Sequence, residues 1–86
     1  MTALTIQLRY FASIREALGS GQETVQTSVS TVGALRDELI ARGGVHAEVL
    51  ARGRAVRVAL NQQMTDDEAA LINGAEVAFF PPVTGG

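Results

Sequence analysis

Two stretches at opposite ends of this 86-residue chain alternate apolar and polar residues, and together they confine its fold. Leu4, Ile6, Leu8 and Tyr10 alternate with Thr5, Gln7 and Arg9. A period of two held over seven residues marks a half-buried strand. Glu76 to Phe80 reads as another, with Val77 and Phe79 on one face and Ala78 and Phe80 on the other. Two more alternating runs lie between them. In Glu23 to Val29, Val25, Thr27 and Val29 oppose Thr24, Gln26 and Ser28, and the polar weight predicts a strand near a sheet edge. Val56, Val58 and Leu60 alternate with Arg57 and Ala59, and Asn61-Gln62 break that run.

Helical spacing fills the gaps. Phe11 to Leu18 reads as a short helix, with Ile14 and Leu18 four apart, closed by Gly19-Ser20-Gly21. Ser30 or Thr31 is placed to cap a longer helix. Val32, Leu35 and Leu39 make its apolar stripe with Ile40 beside them, which leaves Arg36 and Asp37 pointing elsewhere. Gly33 in its first turn is expected to weaken this helix by up to ~1 kcal/mol relative to alanine. Gly43-Gly44 stops it, and Val45 to Arg52 is a further short helix before a turn at Gly53-Arg54. Met64 to Ile72 reads as a loop or short helical turn, and Asn73-Gly74 as a tight turn.

One main helix covers only one face of a sheet in so short a chain. The class is therefore α+β, a mixed sheet with one main helix on one face. A β-grasp arrangement fits, with the first and last strands parallel at the centre. A ferredoxin-like sandwich draws on a similar inventory, and periodicity leaves both open.

Composition removes several kinds of function. There is no cysteine, hence no disulfide, thiolate metal site or cysteine nucleophile. All seven basic residues are arginine, so the chain has no lysine for a Schiff base or for conjugation to its own copies. The net charge of -2 argues against nucleic acid. No long apolar run predicts a membrane span, and no secretory signal is visible, so the expected location is cytoplasmic. His46, the only histidine, reads as a surface residue rather than a base. Asp66-Asp67-Glu68 lacks EF-hand spacing and reads as a solvated acidic turn, so no metal site is expected. No phosphate-binding loop is present, and no cofactor is expected within the chain.

The remaining signal is the run Pro81-Pro82-Val83-Thr84-Gly85-Gly86. Two prolines lack the N–H groups a central ladder needs, and they bias the backbone to extended geometry. The chain thus divides into a domain over 1–80 and an extended, flexible tail over 81–86. The tail is slim and apolar, and glycine at 85 and 86 permits approach that any Cβ blocks. A terminal carboxylate, with pKa ~3.5, is anionic at neutral pH and needs activation before it reacts. If Phe79 enters the core, Phe80 points to the uncovered face beside the tail, where an aromatic anchors a partner.

The run Val77-Ala78-Phe79-Phe80-Pro81-Pro82-Val83-Thr84-Gly85-Gly86 resembles the sulfur-carrier small subunits of molybdopterin synthase. So does Leu8-Arg9-Tyr10-Phe11-Ala12-Ser13-Ile14-Arg15-Glu16 before a glycine turn, and the middle agrees in outline at Thr31-Val32 and Val58-Ala59-Leu60-Asn61. The resemblance implies a ubiquitin-like β-grasp fold. It also implies that a ubiquitin-activating-like partner uses ATP to adenylate Gly86, and that a sulfur donor protein converts the adenylate to a thiocarboxylate. The tail then enters the large subunit of a heterotetramer and gives sulfur to a cyclic pyranopterin monophosphate, building the molybdopterin dithiolene. By position, Gly86 carries the chemistry and Gly85 gives clearance, while Phe80, Phe11, Met64 and Arg15 are candidates for the large-subunit interface. The chain departs from the family at Ala75, where an acidic residue is usual after the turn. The resemblance assigns no role to the Arg52/Arg54/Arg57 cluster or to Asp66–Glu68. Two other readings remain: a carrier for a related pathway such as thiamine synthesis, whose members tend to be shorter and lack the Phe-Phe-Pro-Pro run, and a non-catalytic binding module.

Overall fold

In the computed structural model, residues 3–81 are described. The chain runs β1 (Leu4–Tyr10), α1 (Ala12–Leu18), β2 (Gln22–Thr27), α2 (Val32–Ile40), α3 (Gly44–Val49), β3 (Arg57–Leu60), β4 (Gln63–Thr65) and β5 (Glu76–Phe80). One five-stranded sheet has the order β2-β1-β5-β3-β4. β5 lies at the centre, parallel to β1 and antiparallel to β3. This is the β-grasp arrangement, and β2 stands at the edge that its polar pattern predicted.

The alternation of the strands is obeyed. Ile6, Leu8 and Tyr10 of β1, Val77 and Phe79 of β5 and Val58 of β3 share a buried cluster with Val32, Leu35 and Leu39 of α2. Burying each such aliphatic side chain stabilises the fold by roughly 1.5–3 kcal/mol. Tyr10 and Phe79, paired across β1 and β5, stack with centroids 6.2 Å apart. The Asn73-Gly74 turn feeds β5: Gly74 has a φ of 85° and Asn73 Oδ1 accepts from the Thr5 N–H at 2.8 Å. Thr31 caps α2, its hydroxyl accepting from the Ala34 N–H at 3.2 Å.

Several expectations are corrected. The segment expected to be a loop or helical turn from Met64 begins as a strand. Asn61 and Gln62 both have positive φ, 49° and 70°, as a two-residue type I′ hairpin turn requires. They fold Gln63–Thr65 back onto β3 instead of ending the sheet there. Arg36 does not point away from the core side of α2. It is buried, its Nε donating to the Leu50 carbonyl at 2.8 Å and its Nη2 to those of Ala51 at 2.7 Å and Arg54 at 3.2 Å. Those three carbonyls fall in a segment with little secondary structure, and a fork of N–H donors is what satisfies them at once. Burial lowers the Arg36 pKa, yet a guanidinium remains charged at neutral pH.

His46 is half-buried rather than a surface residue. Its ring meets Tyr10 edge-on at 6.3 Å, and Nε2 lies 3.7 Å from Glu23 Oε2, shielded from solvent and without a hydrogen bond. Gly33 is more than a weak point in a helix. Its N–H and that of Val32, free donors of the first helical turn, give hydrogen bonds to the carbonyls of Asp67 (2.9 Å) and Ala69 (3.0 Å). A Cβ at position 33 would fall 2.8 Å from Asp67 Cβ and 3.1 Å from its carbonyl oxygen. Asp67 and Asp37 are in turn paired with Arg52, so part of the acidic turn is bound to the body rather than solvated.

Gly33→Ala is therefore expected to destabilise the protein by ~1–3 kcal/mol through overpacking, outweighing the ~1 kcal/mol of helix propensity that alanine contributes. Urea denaturation measures this, and a stabilised variant would show that the loop does not sit against α2. Tyr10 supplies a second test. Burial, then the Glu23 carboxylate that accepts from its hydroxyl at 3.1 Å, raises its pKa above the ordinary value near 10. A raised folded-state pKa confers stability that is complete below pH ~10 and is lost as pH climbs beyond it. As the only tyrosine, its phenolate absorbance should appear in alkaline titration only together with loss of the far-UV dichroism. Ionisation near pH 10 with the fold intact would contradict the buried hydroxyl.

Candidate functional site

The face of the sheet away from α2 carries a row in register across four strands: Arg9 of β1, Ala78 of β5, Ala59 of β3 and Met64 of β4. Alternation dictates this, since each residue is one step out of phase with a core position. The two alanines in the middle are buried to 3% exposure, whereas Met64 at the sheet edge is 54% exposed. The row is a shallow floor with a thioether at one end and a guanidinium at the other.

Two residues further along β5, on the same face, Phe80 sits opposite Arg57. It points outward, as the strand pattern predicted, but it is not bare. The Phe11 ring lies over it, nearly parallel at 8° with centroids 4.6 Å apart. The Arg9 guanidinium carbon is 5.7 Å from the centre of the Phe11 ring, within cation–π range. Backbone geometry holds Phe11 there: its N–H donates to the Phe79 carbonyl at 3.2 Å, and its extended φ of -126° closes β1 before α1 turns away. Ala12, the next residue, is held at a φ of 51°, which costs an L residue roughly 1–2 kcal/mol. The turn from β1 into α1 is therefore sharp, and it sets the ring upon the end of β5.

The four sequence candidates for an interface thus separate. Phe80 and Phe11 form one unit, and Met64 is on the same sheet face at the far edge. Arg15 is on α1, beside Gly21, and lines a cleft of about 350 Å³ with Arg9 and Phe11. Arg9 was not singled out from the sequence, and Arg57 only as a member of the Arg52/Arg54/Arg57 cluster without an assigned role. The signal was available in the alternation, which puts both on the face that Phe80 occupies. Pro81 follows the stack directly and lines a groove between α1 and α3. The expectations for Pro82, Val83, Thr84, Gly85 and Gly86 lie outside the described residues.

Conventional catalytic machinery is sparse here. Among the described residues no group of three or more His, Asp or Glu side chains is placed to hold a metal ion. No helix among them is long and apolar enough to cross a membrane. A partly exposed polar cluster joins Tyr10 of β1, Glu23 of β2, Arg42 of the α2–α3 turn and His46 of α3. Burial favours the neutral form of Glu23, and the hydrogen bond and charge of Arg42 outweigh it, leaving its carboxyl below the usual range.

A five-stranded grasp around one main helix, with the last strand central and its end sheathed by an aromatic pair, is the build of a ubiquitin-like protein. The profile of the ThiS family matches residues 8–86, and the chain belongs to that family. The molybdopterin synthase sulfur carrier subunit of Escherichia coli (strain K12) is 40% identical over 81 residues, 94% of this chain and 99% of that protein. The solution structure of the Haloferax volcanii HVO 2177 protein is similar with a TM-score of 0.78 at 29% identity, covering 98% of this chain and 88% of that one. A chain from the complex of subunits 1 and 2 of the molybdopterin-converting factor of Helicobacter pylori 26695 is similar with a TM-score of 0.65 at 25% identity, covering 96% and 100%.

The aromatic stack has its own test. A double-mutant cycle between Phe11→Ala and Phe80→Ala, read from unfolding free energies, is expected to give a coupling of about 0.5–1.5 kcal/mol. Additive losses would mean the two rings do not hold each other.

Proposed function

We propose that this chain is the sulfur carrier of a molybdopterin synthase, with the carboxyl carbon of Gly86 as its reacting atom. The observation that carries the reading is a near-full-length match to a relative bearing that name, within a family match that runs through Gly86. A carboxylate oxygen of Gly86 attacks the α-phosphorus of ATP on an adenylating partner, releasing pyrophosphate. Sulfide supplied by a sulfur donor protein then attacks the acyl carbon and displaces AMP, losing its proton to leave a thiocarboxylate. In the large subunit's active site the sulfur attacks a cyclic pyranopterin monophosphate, and water restores the carboxylate at Gly86. Two deliveries build the dithiolene.

The domain's own part in this is presentation. Each partner must take the tail into a narrow channel, and ordering a backbone residue costs ~1–2 kcal/mol. The proline pair reduces that cost at the root of the tail, and the Phe11–Phe80 stack gives the root a firm base. Phe80, Phe11 and Met64 offer the apolar surface on which the large subunit closes, with Arg15 and Arg9 as charged contacts at its border. A complex of subunits 1 and 2 in the Helicobacter pylori protein supports a two-subunit assembly, which we extend to a heterotetramer acting in the cytoplasm.

Incubation with an adenylating enzyme, ATP and a sulfur source should raise the intact mass by the exchange of one oxygen for sulfur at Gly86. The thiocarboxylated chain mixed with the large subunit should then convert the pterin precursor. Deletion of Gly86 should abolish the mass change and leave thermal stability intact. No mass change with any such enzyme would sink the carrier reading, and thiocarboxylation without conversion of the pterin would redirect it to another pathway.

A further inference from the structure

Of the two free edges of the sheet, β4 is three residues long and β2 is six. Long sheet edges are commonly guarded by lysine, proline or a bulge. β2 has no lysine or proline, and its register with β1 runs unbroken from Leu4–Thr27 to Arg9–Gln22. The Tyr10 N–H donates to the Gly21 carbonyl at 3.0 Å. Antiparallel pairing alternates, so Glu23, Val25 and Thr27 turn their backbone groups toward β1, and Gln22, Thr24 and Gln26 turn theirs outward. Local hydroxyls close both ends of that edge. Ser20 Oγ donates to the Gln22 carbonyl at 2.8 Å and accepts from its N–H at 3.4 Å. Thr27 Oγ1 accepts from the Val29 N–H at 3.2 Å, where the strand has stopped. What remains are the N–H and C=O groups of Thr24 and Gln26, with no partner strand among the described residues. Both side chains are exposed and uncharged.

We infer that this edge pairs with the same edge of a second copy of the chain, antiparallel about a two-fold axis at Val25. That axis sets Thr24 opposite the copy's Gln26, and Gln26 opposite the copy's Thr24. Each of these two pairs exchanges two hydrogen bonds, so every free backbone group of the edge is satisfied at once. The same register sets Val25 against its own copy and Glu23 against the copy's Thr27, so no like charges meet. Glu23 is already engaged by Arg42 of its own chain. Neighbouring registers do worse. An axis at Thr24 sets Gln26 against the copy's Gln22, which Ser20 holds, and one at Gln26 sets Thr24 against the copy's Ser28, past the end of the strand. An unrelated segment would have to bring its own matching groups, whereas a two-fold contact needs only those present here. The copy joins at the edge opposite Met64 of β4, with β2 and β1 between it and Phe80 of β5. A contact of this size falls below the ~1,000 Å² of a stable interface, so the dimer is weak, with a Kd of about 0.1–1 mM.

Sedimentation equilibrium of the whole chain from ~10 µM to ~1 mM tests it, and the mean mass should climb from monomer toward dimer. Over the same range the amide resonances of Thr24 and Gln26 should shift and their deuterium exchange should slow, while that of Phe80 stays constant. Thr24→Lys with Gln26→Lys sets like charges across both pairs and should weaken association by ~10-fold. Thr24→Lys with Gln26→Glu sets opposite charges across both pairs and should tighten it several-fold. Only the Val25 axis gives that gain, since an axis at either neighbour sets like against like. Far-UV dichroism should show both variants folded, because the two positions are exposed. A monomer throughout, with unmoved Thr24 and Gln26 amides, would overturn the inference. So would a dimer that the double-lysine variant leaves intact or that the oppositely charged variant weakens. No readout here involves Gly86, so this inference and the carrier reading can each fail alone.

Discussion

The parallel pairing of β1 with β5 is the interaction on which the rest of the structure depends. It joins the two ends of the described chain at the middle of the sheet, and every other element closes around that seam. β2 extends it on one side, β3 and β4 on the other, and α2 covers the face that Leu8, Tyr10, Val77 and Phe79 turn inward. Parallel neighbours need a long crossover, and here nearly the whole chain serves as one. The contact is thus of high sequence separation, and its cost in chain entropy is met by the most heavily buried strands in the molecule.

That same seam builds the candidate site. Register sets Tyr10 opposite Phe79, so the residues that follow on each strand, Phe11 and Phe80, emerge together beyond the end of the core. One pair stacks inside and the next pair stacks outside. The inner pair is cohesion; the outer pair is a surface, with Arg9 beside it and Pro81 leaving from it. Pro81 also lines a groove between α1 and α3.

Much of this was legible in the chain. The strands β1 and β5, the edge position of β2 and the cap at Thr31 follow from period-two alternation and a hydroxyl before an apolar stripe, both local signals. β4 was hidden because its turn is Asn61-Gln62 rather than Asn-Gly, and a strand of three residues carries no periodicity. Arg36 was misplaced for a different reason. Charge beside an apolar stripe usually seeks water, and only the three free carbonyls of a distant loop reverse that preference. His46 and Gly33 followed suit: each is ordinary on its own helix and constrained by a neighbour far away in sequence, Glu23 in one case and Asp67 in the other.

By itself the sequence determined which residues face inward and the class of fold. It also supplied the Pro81-to-Gly86 run on which the proposed function rests, because these are properties of spacing and residue type. Tertiary structure alone decided that Phe11 covers Phe80, that Arg9 and Arg57 border the same patch and that Arg54 lines a groove beside Pro81. Those relations depend on strand register and on loop carbonyls meeting a buried guanidinium. Both are set by contacts between residues far apart in the chain, where periodicity has no reach.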